Sequence, residues 1–379
     1  MMTFKPEFIS ELLKRNNSRG YDIIGTYVTS LLLFAMLTAS CSHDKTTDLP
    51  PYLKATDIVE ISGDSILINA RESILNMAWM YEVGDTLIFY DDDDEYNYSI
   101  VSLNSDSVIC RAGARGEGPG QLLGQSRTQI DSQGRIYIYD DQNQTMLRYQ
   151  DVDQFISGPD SVPSIRFKDM SGGRLYKSLN GYVGDNLYGN GKIFTFFDND
   201  GTAVTTFGLV PGTETRENVN PDFYMSYQVI FAMSPDKRYI CAAGAFHDWL
   251  AFFDVSGDTP RLLKEYYSVG PVLDADGKDE QFHLKLRPET VKHFKDITPF
   301  ADGVYLTYIG ATNKSMKSDR DDYSTHILKY NWNGELQGVF HPDEKLLYIG
   351  AAPSGDILYG VSTSEDGNHK ILRYDMTKK

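Results

Sequence analysis

Asp131-Ser-Gln-Gly-Arg-Ile-Tyr-Ile-Tyr-Asp140, followed closely by Thr145-Met-Leu-Arg-Tyr149, decides the fold of this chain. A polar, glycine-bearing turn leads into a run of β-branched and aromatic residues, a short loop follows, and a second strand-like run returns. The side-chain pattern has period two, and nothing nearby sustains a helical period. The same unit recurs roughly every fifty residues, the spacing of propeller blades or solenoid repeats. It is read at Gly84–Asp91 with Tyr98–Leu103, Gly184–Gly189 with Ile193–Asp198 and Asp236–Ala243 with Trp249–Asp254. It returns at Asp302–Tyr308 with His326–Asn331 and at Ser354–Gly360 with Lys370–Asp375, which makes six units.

Most units carry one further strand on each side. Tyr227–Met233 precedes the fourth pair and Leu262–Tyr267 follows it. Four antiparallel strands per unit is the pattern of a β-propeller blade, so the expected fold is an all-β, six-bladed propeller. The sixth unit runs out of chain at Lys379, while Asp57–Ile68 precedes the first unit and has no place in it. Pairing this N-terminal strand onto the last blade closes the ring and covers an open edge. A β-sandwich with an appended domain explains neither the count nor the spare strand.

Arg115-Gly-Glu-Gly-Pro-Gly-Gln121, Asp131–Asp140 and Asn143-Gln-Thr-Met-Leu-Arg-Tyr149 together resemble the TolB-like six-bladed propeller lipoproteins of Gram-negative gut bacteria. They are also similar to NHL-type repeats. The resemblance covers the mature chain in organisation and residues 113–150 in motif. It implies a secreted, lipid-anchored propeller and no catalytic residues.

Leu31-Leu-Leu-Phe-Ala-Met-Leu-Thr-Ala-Ser-Cys41 supports the same location. Lys14, Arg15 and Arg19 precede an uncharged stretch, and small residues precede the cysteine, as in a secretory signal. Thr38 stands where a lipobox usually has leucine, with Leu37 one residue earlier. The competing reading, a spanning helix, needs about 20 apolar residues, and Gly25 with several Ser and Thr makes this one weak. The expected organisation is a signal peptide over residues 1–40, cleavage after Ser40, and palmitate-type lipid on Cys41. A flexible tether over 41–55 and the propeller over 56–379 follow. The protein is thereby placed at the outer membrane, on its periplasmic side or at the cell surface.

The net charge is −17, and removing residues 1–40, with four basic and three acidic groups, makes it −18. Phosphate backbones repel such a chain, which argues against a nucleic-acid partner. Membrane contact is left to the N-terminal lipid. Only Cys110 and Cys241 remain beside Cys41, too few for a disulfide scaffold, and their blades lie half a ring apart, so they are expected unpaired.

In a meander the loops alternate between the two ends of the ring. Ser132–Gly134, Pro235–Lys237, Asp198–Gly201 and Asn331–Gly334 read as tight turns on one face. Asp91–Glu95, Gly113–Ser126, Val210–Tyr224, Gly270–Glu289 and Gly310–Thr325 are long and fall on the other, which is expected to bind. Candidate binding residues there are Arg115, Gly116, Gly118, Gly120, Tyr224 and His247. Arg111, Arg115 and Arg127 flank the glycine-rich loop and suit a carboxylate or sugar acid. That loop lacks phosphate-loop and dinucleotide spacing and more readily serves the join between two blades. Phe223, Tyr224, His247 and Trp249 offer a sugar-stacking platform, or more simply inter-blade packing.

Asp91–Glu95 with Asp319, Asp321 and Asp322 supplies hard oxygen donors of the kind Ca²⁺ takes. The run lacks calcium-loop spacing, and adjacent carboxylates on a loop are ordinarily solvated, so no cofactor is expected. There is no G-x-S-x-G elbow and no zinc-type histidine pair, and His247-Asp248 is a lone dyad. The expected function is therefore non-enzymatic binding of a glycan, peptide or envelope protein. A metal-assisted lactonase, lyase or esterase is the alternative, and would need acidic and amide side chains converging on the axis, with Asn76, Asn180 and Asp296 as candidates. A structural partner of an envelope transport system is the third reading.

Overall fold

The computed structural model describes residues 50, 53, 57–66, 77–91, 95–105, 107–124, 127–158, 162–168, 170–186, 191–209, 227–270, 273–274, 285–318, 324–363 and 369–377. They form six sheets of at least four strands arranged as a six-bladed propeller. The innermost strands of blades 1 to 6 are Met77–Val83, Thr128–Ile130, Leu175–Lys177, Val229–Met233, Val291–Phe300 and Tyr348–Ala351.

Each blade is a sheet packed between two neighbours, and the founding stretch shows what that requires. Ile136, Tyr137, Ile138 and Tyr139 are all buried. Ile136 and Ile138 pack with Ile88, Tyr98 and Ile100 of blade 1, while Tyr137 and Tyr139 pack with Leu175, Tyr182 and Phe197 of blade 3. The period of two therefore separates two buried faces, one per neighbour, and does not separate core from solvent. Blades 4 and 5 meet through Leu250, Phe252, Leu306 and Leu328, with Leu53 buried among them. Blades 5 and 6 meet through Tyr305, Ile327, Leu358 and Tyr374.

The N-terminal strand closes the ring, but only with its second half. Asp64–Ile66 pairs antiparallel with Ile371–Arg373 of blade 6. Ile58–Ile61 instead runs parallel to Val339–Pro342 as a fifth strand on blade 5. The change of sheet is fixed at Asp343: its amide donates to the Ile61 carbonyl. Its carboxylate accepts from Ser62 Oγ at 2.6 Å and from the Gly63 amide at 3.2 Å. One continuous segment thus clasps two blades.

The tight-turn reading fails in blade 2. Between its third and fourth strands stands helix α1 (Val152–Ser157), N-capped by Asp151, whose side chain accepts from the Gln154 amide, and ended by Gly158 at φ 59°. Its Phe155 is buried against Tyr98 and Tyr149, with ring centroids 5.3 and 5.0 Å apart. Cys110 and Cys241 are both free, as their blade positions predict.

Candidate functional site

A cavity of about 300 Å³ lies on the propeller axis, and all six blades line it. Gly84, Ser132, Pro235, Ala301 and Pro353, from the turns that follow the innermost strands, surround its mouth. It therefore opens on the tight-turn face, not on the long-loop face. Val83, Ile130, Met233, Ile297 and Pro299 make its wall largely apolar, with Thr128, Gln129 and Thr298 among them. A polar ladder holds the wall in place: Gln129 exchanges hydrogen bonds with the Lys177 backbone at 2.7 and 2.9 Å, and Thr298 Oγ1 accepts from the Ala351 amide at 3.2 Å.

Arg127, Tyr81 and Tyr176 line the deep end. Arg127 donates to the Ile297 carbonyl at 2.8 Å and to the Asp296 carboxylate, whose other oxygen accepts from the Ile349 amide at 2.9 Å. One buried ion pair thereby ties blades 2, 5 and 6 at the axis. Burial works against the guanidinium's charge, but Asp296 outweighs it and holds Arg127 firmly protonated. Trp79 stacks over Arg127 at 5.2 Å. Its φ of 30° falls at a bulge in the innermost strand of blade 1, a backbone cost that packing against Tyr90 and Tyr348 must hold.

The acids at the mouth differ in character. Asp131 is salt-bridged to Arg135 at 2.7 Å and Lys237 at 3.0 Å, bonds that hold its carboxyl below the usual range despite its burial. Glu82 lines the cavity too, and burial raises its carboxyl even though the Tyr359 hydroxyl donates to it at 2.7 Å. Glu82 thus presents a half-buried carboxyl at the cavity.

The structure scatters the residues that sequence reasoning assembled. Arg115, Gly116, Gly118 and Gly120 form the crossing from blade 1 to blade 2. The Arg115 amide donates to the Glu95 carbonyl at 2.8 Å, Gly116 to Leu122 at 3.2 Å and Gly118 to Gln121 Oε1 at 2.9 Å. Gly118 and Gly120 also line a shallow pocket of about 400 Å³ with Asp140, Asn143 and Arg166. Arg111 pairs with Asp91 at 3.1 Å, and Arg127 has been drawn to the axis, so the three arginines do not gather. His247 is fully buried against Trp249 and Tyr227. Burial, then His293, pushes its imidazole down to about 3. Trp249 is buried as well, which makes these rings packing and not a stacking platform. Tyr224, Phe223, Asn76, Asp92–Asp94, Asp319, Asp321, Asp322, Cys41 and most of the long-loop residues lie outside the described residues.

Among the described residues, those at the axis do not fit a catalytic metal. Asn180 sits in a tight turn, donating to the Ser256 carbonyl at 2.7 Å, and Asp296 is left without the acidic or amide partners a metal would need. Its oxygens already serve the guanidinium and an amide, so Arg127 supplies the positive charge that a divalent ion would bring. Among the described residues no three His, Cys, Asp or Glu side chains stand close enough to hold a metal ion.

The ring and its central pocket define a six-bladed propeller with a site sized for a small ligand. The sequence matches the family described as TolB-like 6-blade propeller-like over residues 77–349, and the chain belongs to that family. Its fold is similar to that of a Bacteroides fragilis protein described as exported, at 14% identity and a TM-score of 0.53, over 86% of this chain and 97% of that one. It is equally similar to a member of the DUF4221 family from Bacteroides vulgatus, at 11% identity and a TM-score of 0.54, over 84% and 99%. No protein of curated function matches the sequence.

Proposed function

We propose that this protein is an exported, lipid-anchored propeller of the cell envelope that binds a ligand without transforming it, taking an apolar group into the axial cavity from the tight-turn face. The observation that carries this reading is the cavity itself. Its volume is at the low end for ligand pockets, about 300–1,000 Å³, and its wall is apolar with a few placed polar groups. Glu82 at the mouth and the Thr128–Gln129 edge orient what enters. The ligand is a glycan, peptide or envelope-protein segment presenting one apolar group, the size of a side chain or short acyl tail.

Ser132 is exposed and sits at the mouth, so Ser132→Trp should plug the cavity at little cost to the fold. Ligand-observed NMR with indole and hexanoate as probes should show saturation transfer in the unaltered protein and at least a tenfold weaker signal in the variant, at an unchanged Tm. Equal transfer in both proteins would refute the cavity as the site.

The anchor rests on Leu31–Cys41 alone; the description of the Bacteroides fragilis neighbour supports export only. Feeding a clickable palmitate analogue to a Gram-negative host should label the protein. Cys41→Ser should abolish labelling and release the protein from the membrane pellet; persistent labelling would remove the lipid anchor from the proposal.

A further inference from the structure

We propose that the tight-turn face carries an oxyanion site where blades 2, 3 and 4 meet, built from Arg135, Arg148, Lys177 and Lys237, and that its ligand is a phosphate or sulfate group. It stands apart from the axial cavity. Asp131 lines that cavity, but none of the four cations does.

Strand register gathers the group. Arg148 is paired across from Tyr137 in blade 2, and Arg135 leads into the strand that carries Tyr137. Lys177 ends the innermost strand of blade 3, and Lys237 stands in the first turn of blade 4, where its backbone carbonyl accepts from the Leu179 amide of blade 3 at 2.9 Å. Four cations in one place run against a chain of net charge −17.

Their compensation is incomplete. Arg135 and Lys237 share one carboxylate, Asp131. Among the described residues, neither Lys177 nor Arg148 has an acidic partner. The Lys177 ammonium donates only to neutral oxygens, the Gly181 carbonyl at 3.0 Å and Asn199 Oδ1 at 2.8 Å. The Arg148 Nε is buried with no hydrogen-bond partner. Asp198, on the adjoining turn, is turned onto its own backbone, accepting from Asp200 and Thr202.

Four positive charges against one negative leave three to be met. Burial first, and then the charges of Lys237, Arg135 and Arg148, bring the Lys177 ammonium down to about 8, so the other three cations stand within coulombic reach of it. A dianion meets the surplus better than a carboxylate does, and its several oxygens suit a guanidinium beside an ammonium. The cations are already held: Lys177 lies over the Tyr182 ring at 4.6 Å and Lys237 over Tyr137 at 5.7 Å.

The test uses the full chain and mass-spectrometric readout of lysine acetylation at constant ionic strength. A depressed ammonium is unusually reactive, so Lys177 should label early. Inorganic phosphate or sulfate should protect it in a saturable way, and Arg148→Gln should weaken that protection at least tenfold. The wild-type titration stands by itself if the variant fails to fold. Dextran sulfate protecting at far lower sulfate concentration than the free ion would identify the source as an anionic polysaccharide; equal potency would identify a free oxyanion. Protection by chloride equal to that by phosphate, or none by either oxyanion, would overturn the site.

Discussion

Asp296→Ala should destabilise the propeller by about 3–5 kcal/mol, the cost of stranding one member of a buried ion pair. The carboxylate is almost fully buried and serves Arg127 from blade 2 and the Ile349 amide from blade 6. Its removal leaves a guanidinium charge and an amide N–H unmet at a point where opposite sides of the ring touch. For a domain of this size the loss corresponds to a fall in Tm of roughly 4–7 °C. Arg127→Ala should cost a similar amount, since it abandons the Asp296 charge and empties the space beneath Trp79. The double variant Arg127→Met/Asp296→Leu should recover most of the loss, because nothing charged is then left behind. Denaturant unfolding of the two single variants and the double one measures the coupling. Single variants that each lose less than about 1 kcal/mol, within the usual range of an exposed pair, would show that the axis is not held this way.

That pair also marks where sequence reasoning ends. The blades were legible because each is local. The turn at Ser132–Gly134 and the strand at Ile136–Asp140 lie within ten residues, and their turn chemistry and β propensity point the same way. The spare N-terminal strand was legible by counting. Its division between two sheets was not, because the cause is Asp343, far along the chain at 280 residues' separation from Gly63. Arg127 and Asp296 are 169 residues apart, and nothing near either one announces the other. Arg127 looked like one of three loop arginines only because it follows the glycine-rich loop. His247 and Trp249 looked like a platform because aromatic residues beside a loop read alike whether they face solvent or a neighbouring blade. A propeller buries both faces of its strands, so alternation alone could not say which. The helix α1 did carry a signal: Asp151 and Gly158 bracket it as caps, and Gln154 falls at the third position. The assumption that third-to-fourth strand loops are tight turns concealed it.

Removing residues 1–66 should cost about 5 kcal/mol or more and make the ring prone to association. The deletion strips Ile61 from the contact between blades 5 and 6, a side chain whose burial contributes about 1.5–3 kcal/mol. It also removes the hydrogen bonds pairing Ile58–Ile61 with blade 5 and Asp64–Ile66 with blade 6, each adding about 0.5–1.5 kcal/mol. What remains is blade 6 with three strands and an open edge along Ile371–Arg373, a template for pairing with another chain. A chain beginning at Pro50 keeps Leu53 and both strand halves, and should melt as the full chain does. The bend itself can be tested without deletion. A Cβ at Gly63 would stand 2.7 Å from the Tyr374 ring, which is fully buried and cannot retreat. Gly63→Val should therefore cost about 1–3 kcal/mol as an overpacked site, while leaving the Asp343 hydrogen bond to Ser62 available. Sedimentation velocity and thermal unfolding on the three proteins decide the matter. A residue-67 start that sediments and melts as the Pro50 start does would mean that the ring closes without its clasp.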